Sequence, residues 1–218
     1  MPRALPRGRR AAVLSPAMYF RMLHDEASGA MSYLLADLDA GEAVLVDPRG
    51  ADVAVLRAML AEHRLRLRWV LRTHEHDAAL PEAERRALEA LQAPRVAARP
   101  APDGVVSFGD EMLRTLATPG HTASCLSFLW RDRLFCGGLL AVDACPYQPR
   151  PAMPEALWDS VTREVFTLPA ETLLFSGHAR AARAVSQVLE QRRTHPWFAG
   201  ASRDEFLARV AALAPAPP

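Results

Sequence analysis

Apolar positions along the chain fall into short blocks of two different periods. Residues 31–36 and 43–47 are near-continuous apolar runs, split by the polar stretch 37–42 with Gly41, and they read as two strands of a hairpin. From 50 to 64 the apolar residues Val53, Leu56, Met59 and Leu60 recur at helical spacing. Residues 67–73 then read as a partly buried strand, which completes a βαβ-like unit. Residues 81–92 predict a second helix, with Pro81 in its first turn and Glu82 and Glu84 near the positive end of its dipole.

The middle of the chain changes to strand-length blocks at 95–98, 105–108, 112–117, 125–130 and 133–136, divided by Pro, Gly and Asp turns. The proline-rich stretch 146–154 predicts a loop. Beyond it, 154–166 reads as a helix, 172–175 as a short strand and 179–193 as a helix. Ser202 and Glu205 have the spacing of a capping box opening a last helix. There is no internal repeat and no long linker. Strands with a helix, twice over, predict an α/β protein with two packed sheets and helices outside. The expected organisation is an Arg-rich disordered arm over 1–17, a single domain over 18–213 and a frayed tail over 214–218.

Composition narrows the function. Half of the 218 residues are hydrophobic, enough for a sizeable core. A net charge of +1 gives no pull toward nucleic acid or anionic membrane. No apolar run reaches the ~18 residues of a membrane span. The chain has no Lys, Asn or Ile, whose codons are AT-rich, so a GC-rich bacterial genome is expected. Lysine chemistry, including a Schiff base or a phosphate-loop lysine, is thereby excluded. Cys125, Cys136 and Cys145 form an odd set without CxxC spacing, and no secretory h-region is apparent. Buried free thiols in a reducing cytoplasm are expected.

The candidate chemistry lies in four of the seven histidines. His74 and His76 follow the strand at 67–73; His121 follows the strand at 112–117 in Thr118-Pro119-Gly120-His121-Thr122; His178 follows the strand at 172–175 in Ser176-Gly177-His178. An isolated HxH pair is usually two solvated side chains. Four histidines at corresponding strand ends, two of them aimed by Gly turns, point instead to one metal site. His24, His63 and His195 have no such setting and are assigned to surface or helix-end positions.

These residues resemble the metallo-β-lactamase superfamily, and within it the persulfide dioxygenase branch, close to glyoxalase II. Thr73-His74-Glu75-His76 matches the start of that family's THxHxDH loop, Pro119-Gly120-His121-Thr122 its PGHT turn, and Gly177-His178 its last histidine. Residues 20–37, Val46-Asp47-Pro48 and Ser202-Arg203-Asp204-Glu205-Phe206 match its scaffold, so the resemblance spans roughly 18–213. It implies a four-layer αββα sandwich and a glutathione-linked sulfur substrate, with Fe(II) or Zn(II) as cofactor. The departures fall on the chemistry. Ala78 and Ala79 stand where the family has Asp and His, and Gly138 stands where it has a metal-binding Asp. Asp77 is one residue out of register.

Two-metal hydrolysis is therefore not expected. Two readings stay open: a pseudoenzyme or binding module, with reduced or no catalysis and no bound metal; and a mononuclear enzyme, a sulfur dioxygenase or thioester hydrolase, with His74, His76 and His121 around one ion and His178 beside it. Arg180 and Arg183, at i and i+3 of the expected helix, and Tyr147 in the proline-rich loop are candidate substrate contacts. The expected partners are a glutathione-linked small molecule and further copies of the chain.

Overall fold

A computed structural model describes residues 18–75, 81–93, 95–96, 104–141, 145, 148, 150–180 and 183–213. The arm, the tail, His76 to Ala79 and Tyr147 lie outside them. Eleven strands form two sheets. The first runs β1 (Met18–His24), β2 (Met31–Asp37), β3 (Glu42–Val46), β4 (Arg66–Leu71) and β5 (Arg95–Val96). The second, taken from its far edge, runs β11 (Arg183–Gln187), β10 (Leu173–Arg180), β9 (Arg133–Gly137), β8 (Leu126–Trp130), β7 (Glu111–Ala117) and β6 (Val105–Phe108). The β3–β4, β4–β5 and β9–β10 pairs are parallel and the others antiparallel.

The central strands are buried on both faces, which is why they read as continuous apolar runs rather than alternating ones. Along β2, Met31, Tyr33 and Leu35 enter the layer between the sheets, while Leu34 and Ala36 face the helices. β3 divides the same way, with Val44 and Val46 inside and Ala43 and Leu45 outside. α1 (Val53–Glu62) and α2 (Glu82–Glu89) cover the first sheet through Val53, Leu56, Leu60 and Leu88. α3 (Pro154–Asp159), α4 (Val188–Thr194) and α5 (Arg203–Ala211) cover the second through Leu157, Val188, Phe206 and Val210. The result is the expected four-layer αββα arrangement. Among the described residues no helix is long and apolar enough to cross a membrane.

Aromatic side chains lock the two sheets together. Tyr33 and Phe135 have ring centroids 5.0 Å apart, and Phe20 meets Phe175 edge-on at 5.3 Å. The Tyr33 hydroxyl donates to the Ser176 carbonyl, tying β2 to β10 across the layer. Ser202 and Glu205 form the anticipated capping box at the start of α5. The three cysteines are buried.

One expected element is overturned. Residues 179–193 do not form a helix: β10 continues to Arg180, β11 returns from Arg183, and α4 begins at Val188. The Ala- and Arg-rich sequence has good helix propensity, but β10 would otherwise expose an unpaired edge, and Leu173, Leu174 and Phe175 recruit Gln187, Ser186 and Val185 against it. Arg180 and Arg183 therefore face each other across a hairpin instead of sharing a helix face. Helix 154–166 is confirmed in position, but its second half, Ser160–Val165, is wound wide, with Phe166 N bonding Val161 O at 2.8 Å.

Glu111 anchors the far end of the second sheet. Its carboxylate accepts from Trp130 Nε1 at 2.7 Å and from the Arg131 guanidinium. The Arg131 bonds hold this carboxyl below its ordinary value. A depressed folded pKa gives stability that is full above the unfolded value and lost as pH falls through the folded one. Glu111→Gln should cost about 1–3 kcal/mol at neutral pH. Its loss of stability on acidification should be shallower than that of the parent chain, as read by urea midpoints at a series of pH values.

Candidate functional site

The site is assembled at one end of the two sheets by loops leaving β3, β4, β7 and β9. Asp47, just past β3, has a left-handed backbone with φ of 48°. Its Oδ1 accepts from Thr73 N at 2.8 Å and its Oδ2 from Thr73 Oγ1 at 2.6 Å. A hydroxyl has one proton to give, and Thr73 gives it to Asp47. The 2.9 Å contact between Thr73 Oγ1 and His74 Nδ1 must then run from the imidazole to the hydroxyl. His74 is thus oriented with Nδ1 donating to the Thr73 hydroxyl. Burial pushes the Asp47 carboxyl upward, against the charge of Arg72 and the two Thr73 bonds.

The Thr73 loop is pinned to the second sheet as well, by Leu126 N donating to Thr73 O at 2.7 Å. Gly137 makes this approach feasible. It has φ of +53°, and a Cβ there would lie 2.7 Å from Thr73 Cβ.

His121 is delivered by the turn after β7. Gly120 has φ of +149°, and a Cβ on it would stand 2.5 Å from Leu157 Cβ, so only glycine lets α3 pack over the turn. Ser160 Oγ donates to Pro119 O at 2.7 Å, and Ala152 N and Met153 N bond the carbonyls of His121 and Gly120. The His121 side chain is fully buried. Its Nε2 lies 3.2 Å from the carbonyl oxygen of Gln148, and the Gln148 side-chain amide donates back to the His121 carbonyl. A carbonyl can only accept, so His121 carries its proton on Nε2. The ring rests on Gly138: a Cβ there would be 2.8 Å from His121 Cγ, 2.7 Å from Cε1 and closer still to Nδ1.

The ring geometry can be compared with what one ion requires. Two imidazoles bound through nitrogens at ~2.1 Å have centroids roughly 5 Å apart at a tetrahedral angle, and about 6.5 Å apart when opposed. His74 and His121 stand 4.8 Å apart, nearly perpendicular. His178 is 6.2 Å from His74, farther than His121 is. It lies within β10, where its backbone bridges Ala30, rather than on a loop beyond a shorter strand. Among the described residues no three His, Cys, Asp or Glu side chains are grouped to hold a metal ion. The other predicted donor, His76, lies outside them, as does Tyr147; Arg180 and Arg183 are placed by backbone alone.

Of the remaining histidines, His63 ends α1 against Tyr19, and His195 ends α4 buried, with Nε2 near Leu140 O and Nδ1 accepting from Trp197 N. His178 also lines a cavity of about 170 Å³ with Cys136, Leu174, Ser176, Val185 and Gln191. Burial pushes the Cys136 thiol up to about 12, so it brings no nucleophile to that space at neutral pH.

Sequence reading missed Asp47 and Gln148 as parts of the site. Asp47 had a signal, an acidic residue directly after a buried strand and before Pro48; Gln148 had none. Thr73→Val should test the relay. It keeps the shape but leaves His74 Nδ1 and one Asp47 oxygen without the hydroxyl, at an expected cost of about 1–3 kcal/mol in urea unfolding of the metal-free protein.

No family model matches the chain. Individual proteins do. It is 31% identical over 188 residues to the mitochondrial persulfide dioxygenase ETHE1 of Bos taurus, covering 81% of this chain and 74% of that one. It is 33% identical over 165 residues to a hydroxyacylglutathione hydrolase of Acidiphilium cryptum, covering 66% and 65%. The crystal structure of ETHE1 from Myxococcus xanthus superposes with a TM-score of 0.80 at 35% identity, covering 91% of this chain and 93% of that one. The chain belongs to the ETHE1 persulfide dioxygenase family of the metallo-β-lactamase superfamily.

Proposed function

We propose that this protein is a pseudoenzyme of the persulfide dioxygenase family, a binding module for a glutathione-linked sulfur compound that does not oxidise it. The observation that carries the proposal is the packing of His121 on Gly138. A carboxylate side chain at position 138 and the His121 ring as it stands need the same space, so this arrangement is built without that donor. Ala78 and Ala79 extend the same pattern to the second metal position. Among the described residues no grouped donor set supports two-metal hydrolysis.

The 4.8 Å spacing of His74 and His121 favours a second reading, a site for one Fe(II) or Zn(II). His74 and His121 would hold the ion, with His76 as the third donor. When bound, such an ion would supply Lewis acidity toward a sulfur or water ligand. The protein's own contribution would be an all-neutral donor set, which leaves the ion its full charge and holds it more weakly than a carboxylate would. In either reading Arg180, Arg183 and Tyr147 are the candidate contacts for the substrate's carboxylates and thiol end.

One comparison separates the two. Oxygen uptake and sulfite formation from glutathione persulfide are measured beside iron and zinc content, for the protein and for His121→Ala. The pseudoenzyme predicts no turnover above the uncatalysed rate in either, and metal far below one equivalent after reconstitution. Turnover in the parent chain that disappears in His121→Ala would overturn it and establish the one-ion enzyme.

A further inference from the structure

The first sheet ends on an open strand, β1. Asp25 N donates to Ala30 O at 3.0 Å, which closes the β1–β2 hairpin and sets the phase of its ladder. Bonded and non-bonded pairs alternate between antiparallel strands. Leu23, Arg21 and Tyr19 therefore bond to β2, while Met18, Phe20, Met22 and His24 turn their N–H and C=O groups away from it. The Arg21 guanidinium reaches Phe20 O at 2.9 Å, in keeping with an outward carbonyl there. Among the described residues no strand pairs with this side of β1. The same four residues share one face of the strand. Phe20 packs against the layer between the sheets, but Met18 and Met22 on either side of it are 38% and 46% exposed. A strand with outward backbone groups and exposed methionines is a template for a further strand.

We propose that β1 is an interface for a second copy of this chain, the two β1 strands pairing antiparallel about a two-fold axis at Phe20. Self-complementarity selects both the partner and the register. In a two-fold contact each residue of the patch meets another residue of the same patch. Outward groups meet outward groups only when even-numbered residues stand opposite even-numbered ones. Centring the axis on Arg21 would set two guanidinium groups directly opposite each other, which is repulsive. Centring it on Met22 would leave Met18 opposite no residue of the strand. Centring it on Phe20 sets Met18 against the partner's Met22, so both exposed methionines are covered, and sets Arg21 against the partner's Tyr19. The Arg21 guanidinium already lies 4.1 Å from the centroid of its own Tyr19 ring, so the pairing gives one cation two aromatic faces. Arg21 is exposed and can yield the Phe20 carbonyl to the partner's Phe20 N–H. The first sheets of the two copies then form one continuous sheet, and neither β1 edge is left open. The inference does not depend on whether the site binds a metal or turns over a substrate.

Sedimentation velocity of the full-length protein over a range of concentrations is the first test. A dimer that grows with concentration is expected; a monomer throughout, as when another segment of the same chain occupies the edge, overturns the proposal. Met22→Pro then probes the edge itself. The Met22 N–H points away from β2, so proline spares the β1–β2 ladder while removing an outward donor, and it should raise the concentration needed for dimerisation by about tenfold or more. Met112→Gln, at an exposed methionine of β7, should leave dimerisation unchanged. A dimer equally strong in Met22→Pro would place the interface elsewhere and overturn the proposal. Cross-linking reads the register without relying on the proline variant. Paired Cα atoms ~5.5 Å apart are within disulfide range. Mixed Met18→Cys and Met22→Cys chains should therefore cross-link under copper–phenanthroline oxidation, and neither variant alone should do so beyond the parent chain, whose cysteines are buried. No cross-link in the mixture, or an equal yield from one variant alone, would overturn the Phe20-centred pairing.

Discussion

Both loops that bring histidines together rest on two successive glycines at the end of β9. Gly137 leaves room for Thr73 and, through it, for His74; Gly138 leaves room for the ring of His121. A side chain at either position would meet atoms closer than 3 Å, and close-packed interiors do not absorb such overlaps without moving a neighbour. The two glycines are not equivalent. Gly137 adopts a left-handed backbone and belongs to the scaffold, since the Asp47–Thr73 contact depends on it. Gly138 is a matter of occupancy: it decides whether a side chain or His121 fills the centre of the site.

This difference also explains how much could be read from the residues. The strand blocks, the Pro119-Gly120 turn and the Ser202–Glu205 box are local patterns with local causes, and they came through. The stretch 179–193 did not, because its outcome is set by a partner. The exposed edge of β10 outweighs helix propensity, and no window of the sequence contains both strands' hydrogen-bonding needs. Gly138 was visible as a glycine where the family resemblance implies a carboxylate, but what would occupy that space was not. That depends on a ring seventeen positions earlier and a carbonyl ten positions later. Asp47 was noticed only as part of a strand end, since its role appears once β3 and β4 lie side by side.

Electrostatics favours the arrangement in a metal-free protein. A buried cluster of carboxylates without a cation carries like-charge repulsion on top of desolvation. Here the pair at the centre consists of two imidazoles, each with one ring nitrogen against an oxygen. The nearby carboxylate, Asp47, sits one residue back, takes two bonds from Thr73 and lies within the field of Arg72.

The Asp47–Thr73–His74 relay serves more than one purpose. The relay orients His74, but it also closes the end of the first sheet and, through Leu126 N and Thr73 O, ties that sheet to the second. Its worth to the fold is independent of any ion. Position 138 has no such second duty: with glycine there, the His121 ring fills the space a side chain would need. A residue whose contacts serve both scaffold and site is held by the fold, whatever chemistry the site supports. By that criterion His74 is held in place by the architecture, while His121 is held by Gln148 and by the absence of a neighbour.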